Sequence, residues 1–385
     1  MHETRPDISA VPAGKTVHQA AEERSLQLLT NSSRNSFGTC HRRYYYEHVL
    51  LRRPAVDAEA LRFGNLVHQA LEQYLLAFDV GQNARLAKAV AAIHARAPEN
   101  LADEYQVASA IAMIYGYDAR WGNLTMIVQA VEQEFQFPLI NPDTNGTSRT
   151  WLLAGKIDGI AELPGSDGSW KLSILEHKTT SEDISPESDY WTLLAIDGQV
   201  SAYFPGSRSL GYAVEELVYD VLKKPELRPR QVPILDAEGL KQIVDAECVR
   251  VRNLTGAKDW RQSPDAAKGY TMLVRLETPE EFGKRIHLEV TGNVEKYFAR
   301  KTVVRLDADL AEYMGDMWAV GREIADAKVV GRWPRNPRSC KVFSTCPYFD
   351  VCAGRESIDN PHRFKDSDPH PELPSSHHLA NEVQP

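Results

Sequence analysis

The stretch that most constrains this chain runs from Trp151 to Lys178, which reads as two β-strands joined by a polar turn at Pro164, Gly165, Asp167 and Gly168. In the first strand, Trp151, Leu153, Gly155, Ile157, Gly159, Ala161 and Leu163 alternate onto one face, and Lys156, Asp158 and Glu162 onto the other. In the second, Leu172, Ile174, Glu176 and Lys178 share a face and His177 points the opposite way. Glu176 and Lys178 then stand roughly 7 Å apart, two residues rising about 3.3 Å each. If the strands pair antiparallel with their polar faces aligned, Asp158 and Glu176 converge beside a lysine. Carboxylates crowded together out of bulk water repel, so one takes a proton or a cation lies between them. A hard divalent cation such as Mg²⁺ suits oxygen ligands, and Lys178 is placed to orient or polarise a water or to stabilise developing negative charge. Taken singly, Asp158 reads more simply as a strand-end or turn residue, and Glu176 with Lys178 as a surface pair; the combination is what carries chemistry.

At 385 residues with 43% hydrophobic content, the chain can hold one large domain or two ordinary ones around a substantial core. No run approaches the ~18 to 20 apolar residues of a membrane helix. The opening MHETRPDISA lacks the basic-then-apolar order of a secretory signal, so the expectation is a cytoplasmic protein with no membrane contact. A net charge of -9 argues against coating nucleic acid through bulk charge but leaves room for a local basic groove. Five cysteines are too few for a disulfide scaffold, and three crowd near the C-terminus, which favours metal ligation. The segment PAGKT ends like a phosphate-binding loop, but Ser9 stands where its first Gly belongs and no apolar strand precedes it. It is no phosphate cradle, and nothing here suggests a helicase motor in the chain.

Residues 1–22 are polar and aperiodic, as expected of a flexible arm. Ser32, Ser33 and Asn35 are N-cap candidates for a helix through Phe37 and Tyr44 to Tyr46, which contains the run CHRRYYYEHVLLRR. A helix over 59–79 puts Leu61, Gly64, His68, Leu71, Leu75 and Phe78 on one inward stripe. Helices at 84–97 and 100–120 read as packing elements. A strand over 126–139 carries Glu132 and Glu134 on one face, most simply as edge-strand surface carboxylates, though either could extend the acidic pocket. A helix over 188–203 sets Gln199 and Tyr203 one turn apart. A strand over 214–222 then completes the sheet ahead of Lys223, Lys224, Arg228 and Arg230, by default a solvated loop that could touch phosphates. Residues 226–277 read as an inserted subdomain in which Cys248 is an ordinary thiol. A helix over 307–329 leads into Cys340, Cys346 and Cys352; counting Cys40, four thiolates would satisfy tetrahedral Zn²⁺ or a 4Fe-4S cluster, which spacing does not separate. From residue 356 the tail is rich in Pro, Ser, Asp and His and is expected to be disordered, with His377 and His378 incidental.

The Gly-Lys-Ile-Asp-Gly-Ile strand followed by Ile-Leu-Glu-His-Lys-Thr-Thr resembles the core of the PD-(D/E)XK nucleases, specifically the RecB-like branch that includes exonucleases associated with CRISPR adaptation. Gly64 with His68 looks like that branch's Gly-x-x-x-His motif, and Gln199 with Tyr203 its Gln-x-x-x-Tyr. Cys40 ahead of Arg-Arg-Tyr-Tyr-Tyr, with Cys340, Cys346 and Cys352 late in the chain, is similar to its iron-sulfur signature. The departure is that five residues, not two, separate Cys340 from Cys346. The resemblance covers roughly 30–225 and 300–355. It implies an α/β fold, a mixed central sheet flanked by helices in a restriction-endonuclease-like core, with an inserted subdomain and an iron-sulfur clasp. The core would span 23–225 and be completed by 278–355, with the insertion at 226–277 and the tail at 356–385. The implied activity is a Mg²⁺- or Mn²⁺-dependent DNA exonuclease hydrolysing phosphodiester bonds at DNA ends. His68, Asp158 and Glu176 would bind metal, with the backbone carbonyl of His177 an extra ligand. Lys178 would assist the attacking water, and Gln199 and Tyr203 would hold the strand. Cys40, Cys340, Cys346 and Cys352 would carry a 4Fe-4S cluster, with structural Zn²⁺ as the alternative. Recombination, repair, CRISPR adaptation or phage DNA processing in a bacterial or phage-infected cell would be the setting, with room for a helicase or integrase partner. The competing reading is a non-cleaving DNA-end-binding or scaffold subunit, against which the intact Asp158, Glu176 and Lys178 weigh.

Overall fold

The computed structural model describes residues 26–96, 98–165, 168–239, 241–244, 250–251, 271–342 and 344–373. The arm at 1–22, Asp167, Cys248, His377 and His378 lie outside them. The frame is a mixed six-stranded sheet of β1 (Gln27–Thr30), β2 (Ile127–Ile140), β3 (Thr147–Pro164), β4 (Trp170–Thr180), β5 (Glu216–Lys223) and β6 (Phe298–Val303). Its order is β1-β3-β4-β5-β6, with β2 also on β3. Strands β1 and β3 run parallel, as do β4 and β5; the other pairs are antiparallel. Because β2 lines one edge of β3, β1 and β4 share the other edge end to end. Strand β1 pairs over Trp151 to Ala154 and β4 over Gly159 to Pro164, so Asp158 sits in the fork between them.

The apolar face expected to run unbroken from Trp151 to Leu163 changes side at this fork. Trp151, Leu153 and Ile157 pack with Phe135 and Phe137 in the larger core, joined there by Ile160, whereas Ala161 joins Leu175 and Val218 on the opposite side. The partner strand reverses at the same level, with Phe135 and Phe137 facing one core and Val131 the other. Between them Glu132, which the register sets opposite Asp158, takes the left-handed conformation at φ 52°. A left-handed residue kinks the pleat, which simple alternation does not anticipate.

Helices cover both faces. On one lie α1 (Asn31–Thr39), α5 (Gly198–Ser209) and α7 (Asp307–Val330); on the other lie α2 (Glu59–Leu76), α3 (Gln82–His94), α4 (Leu101–Trp121) and α6 (Pro279–Gly292). The helix expected to continue to Tyr46 is broken. Thr30, not Ser32, Ser33 or Asn35, caps α1 by accepting the Ser33 N–H at 3.1 Å, and Cys40 is extended at φ -166° before a new turn begins at His41. The C-terminal segment takes over the backbone there, the Arg42 N–H donating to the Pro334 carbonyl at 3.1 Å. The helix expected over 188–203 is likewise divided into a 3-10 segment, Asp189–Ile196, and α5.

The disorder expected from residue 356 does not hold through 373. Phe364–Asp366 pairs antiparallel with Arg52–Pro54, and Phe364 stacks on Tyr348 with ring centroids 5.5 Å apart. Buried Phe364 and Leu373 anchor a segment whose polar composition conceals them. The described parts of 226–277 form small two- and three-stranded pieces outside the central sheet.

Candidate active site

The ladder between β3 and β4 ends with Gly159 opposite Leu175, so Asp158 and Glu176 are the next residues of the two strands, and Asp158 Oδ2 accepts the His177 backbone N–H at 2.9 Å. Asp158 and Glu176 are both buried, at 9% and 1% exposure. Glu176 and Lys178 lie beside Tyr219 and Val221 of β5 on the α5 side of the sheet, whereas His177 lies beside Asp220 on the α4 side. The alternation read from the sequence of β4 is thus the alternation in the fold. Lys178 Nζ lies 2.5 Å from Glu176 Oε1, while Glu176 Oε2 is buried with no hydrogen-bond partner.

His68 arrives from α2, though not on the stripe expected. The buried face of α2 runs through Phe63, Val67, Ala70, Leu71, Tyr74 and Leu75, and Leu61 is 54% exposed. His68 sits at the margin of that face, its side chain 32% exposed and its Nδ1 3.5 Å from Asp158 Oδ2. Two glycines let the helix approach this closely. A Cβ on Gly64 would lie 3.3 Å from Thr179 Oγ1, and one on Gly159 would lie 3.1 Å from Leu75 Cδ1.

On the opposite face, Asp197 caps α5 by accepting the N–H groups of Gln199 and Val200 at 2.7 and 3.0 Å. The Gln199 side-chain amide then donates to the Tyr203 hydroxyl at 2.6 Å, and the buried Tyr203 stands beside Glu176.

These surroundings divide the two acids. Burial, reinforced by Asp158, pushes Glu176 up to about 7 against the pull of Lys178 and Tyr203. Burial also penalises the charge on Asp158, but His68, His177 and Lys178 outweigh it and hold that carboxyl well below its usual range. Desolvation, helped by Lys178, pushes His68 down to about 4 despite Asp158, so the imidazole is neutral near pH 7 and free to ligate. For Lys178, burial is outweighed by Glu176 and Asp158, and the ammonium is retained.

The donor set therefore fits a hard divalent cation: an ionised carboxylate, a second carboxylate with an orphaned buried oxygen, and a neutral imidazole. Among the described residues no three His, Cys, Asp or Glu side chains form a ready metal-binding group. Lys178 engages one oxygen of Glu176, and both His68 and His177 lean on Oδ2 of Asp158, so entry of an ion requires some of these contacts to yield.

Glu132, by sequence a surface carboxylate or an extension of the acidic pocket, pairs with Lys156 opposite Asp158. The network behind the fork is not expected from the sequence. Asp220, fully buried, binds Arg300 of β6 and Tyr117 of α4 behind His177. The available signal was an aspartate inside the apolar run Leu-Val-Tyr-Asp-Val-Leu, a buried charge that must find a partner. In the basic stretch after β5, Lys224 pairs with Glu59 at 3.2 Å and Arg230 with Glu277 at 2.9 Å, so much of its charge is already neutralised.

Cys40, Cys340, Cys346 and Cys352 line one cavity of about 520 Å³. The segments carrying them are joined by other contacts too. The Asn336 N–H donates to Cys40 Sγ at 3.3 Å, Asn336 Nδ2 and Ser339 Oγ both donate to the Thr39 carbonyl, and Tyr44 and Tyr45 stack on Trp333.

No curated protein matches the chain significantly. The family model for the PD-(D/E)XK nuclease superfamily matches residues 28–353, a span that holds the fork, its two acids, Lys178 and all four of these cysteines. That match covers most of the chain and agrees with its mixed central sheet flanked by helices, and the chain belongs to the PD-(D/E)XK nuclease superfamily.

Proposed function

We propose that this metal-dependent nuclease is a RecB-like DNA exonuclease acting at DNA ends. His68, Asp158 and Glu176, with the His177 carbonyl, would hold Mg²⁺ or Mn²⁺. The observation that carries the reading is Glu176, buried with Oε2 unpartnered, beyond the same end of the β3–β4 ladder as an ionised Asp158 and in contact with a charged lysine. When bound, the ion supplies Lewis acidity at the scissile phosphate. The chain's own residues do the rest. Lys178 directs its ammonium into the fork, where it can orient a water for in-line attack and offset charge building on the phosphate oxygens. Neutral His68 supplies a nitrogen donor without adding positive charge that would repel the ion. Tyr203, its hydroxyl fixed by Gln199, walls the site on the α5 side, and the two residues would hold the DNA strand.

The four cysteines share one cavity, though among the described residues no three of them form a ready metal-binding group, and they would carry a 4Fe-4S cluster as a structural clasp, with Zn²⁺ the alternative for the same thiols. Visible absorbance together with iron, sulfide and zinc analysis of the purified protein separates the two, and a colourless, zinc-loaded, folded sample rejects the cluster.

The exonuclease reading is tested on end-labelled single- and double-stranded DNA and on closed circles, with Mn²⁺, with EDTA, and with Asp158→Ala. Mn²⁺-dependent release from ends, lost in EDTA and in the variant, is expected. Equal cutting of closed circles rejects the exonuclease assignment, and digestion that survives Asp158→Ala rejects the site.

A further inference from the structure

His177 sits between two carboxylates that belong to different parts of the fold. On one side its ring Nδ1 lies 3.4 Å from Asp158 Oδ2, and its backbone N–H donates to the same oxygen at 2.9 Å. On the other side its Nε2 lies 3.3 Å from the Tyr117 hydroxyl and 3.9 Å from Asp220 Oδ2. Tyr117 donates to that oxygen at 2.9 Å, and Arg300 reaches it through Nε at 2.8 Å and Nη2 at 2.7 Å. Arg300 also donates to the Tyr117 hydroxyl at 3.0 Å and lies over the Trp121 ring, 4.3 Å from its centroid. Tyr117, His177 and Asp220 are almost wholly buried.

We propose that Asp220, clamped by Tyr117 and Arg300, acts through His177 as the positioning group for the catalytic Asp158. The inference rests on Asp158 being a metal ligand. The contacts from His177 and His68 converge on a single oxygen, Oδ2, so the carboxylate is held against rotation from that side. A strand-end aspartate with free torsions would lose that order each time an ion arrived. Here the ring that restrains it is fixed in turn by a neutralised carboxylate on β5 and by α4. Outer partners of this kind orient a ligand and sharpen metal affinity without touching the ion. A core needing only charge balance would be satisfied by Asp220 with Arg300, and would not require Tyr117 to bridge to the histidine.

The test separates positioning from stability. Asp220→Leu with Arg300→Met replaces a buried ion pair by apolar side chains, which commonly leaves a fold as stable as before. His177→Phe keeps the ring volume and removes its nitrogens. Mn²⁺ affinity without DNA is measured by electron paramagnetic resonance on the full chain, beside melting temperature and the Mn²⁺ concentration giving half-maximal nuclease activity. About tenfold weaker Mn²⁺ binding is expected in both variants, with the double variant melting near the wild type. Wild-type Mn²⁺ affinity in the folded double variant overturns the proposal, as does a loss of affinity that appears only where melting temperature falls. Asp158→Ala is the control: if it leaves Mn²⁺ binding unchanged, the metal-site reading fails and takes the positioning role with it. If it abolishes binding while the network variants bind normally, the network alone is refuted.

Discussion

Glu176 carries the most exacting prediction. Burial lifts it from an ordinary 4.5 to about 7, while Asp158 is already ionised and His68 already neutral at that pH. Metal binding near neutrality must therefore displace one proton, the one on Glu176. For a single such ligand the apparent affinity falls about tenfold at pH 6 and about a hundredfold at pH 5, relative to its high-pH limit, and changes little above pH 8. Calorimetric titration of Mn²⁺ in buffers of different ionisation enthalpy should find about 0.9 proton released at pH 6 and about 0.5 at pH 7. Stability carries the same signature. The folded value lies above the unfolded one, so this group's contribution is fully present below about 4.5 and is lost as pH rises through 7, an effect of about 3 kcal/mol. The melting-temperature difference between metal-free wild type and Glu176→Gln should therefore move against the wild type between pH 5 and 8, and saturating Mn²⁺ should reverse the trend. Affinity independent of pH from 6 to 8, or release of two protons, would refute the assignment of protonation states in the fork.

Lys178→Met should lower the turnover rate by about 10² to 10⁴-fold with Mn²⁺ affinity nearly preserved; a loss confined to metal affinity would instead make the lysine a partner of Glu176 alone. Phe135 is clamped between two glycines, a Cβ on Gly155 falling 2.6 Å from its Cζ and one on Gly206 falling 2.7 Å from its Cγ. Gly155→Ala and Gly206→Ala should each cost about 1 to 3 kcal/mol in urea unfolding, and either being neutral would contradict this packing. If the four thiols hold iron as proposed, Cys40→Ser should abolish it while leaving a folded nuclease core, since Asn336, Ser339 and Trp333 still tie residues 39–45 to the C-terminal segment. Global unfolding of that variant, seen by circular dichroism, would show the clasp to depend on the cysteines alone.

The chemistry of β4 was legible in the chain because side-chain direction in a strand is a local property with a period of two: Glu176 and Lys178 share a face and His177 opposes them whatever surrounds them. The alternation of β3 failed only where a neighbour intervened, at the kink centred on Glu132. Helix phase was less determined. A 3.6-residue stripe through Leu61 and one through Phe63 are both amphipathic, and only packing against the sheet selected the second, setting His68 at the margin of the buried face beside Asp158. Cys40 reads as helical by its neighbours, yet contacts with Pro334 and Asn336, some three hundred residues away, extend its backbone. The network behind His177 draws Tyr117, Asp220 and Arg300 from α4, β5 and β6, and no local pattern links them. Sequence set the faces of Glu176, His177 and Lys178, because those follow from backbone geometry one residue at a time. Tertiary structure alone decided what restrains them, because burial of a charge can be compensated only by groups that the folded chain brings to it.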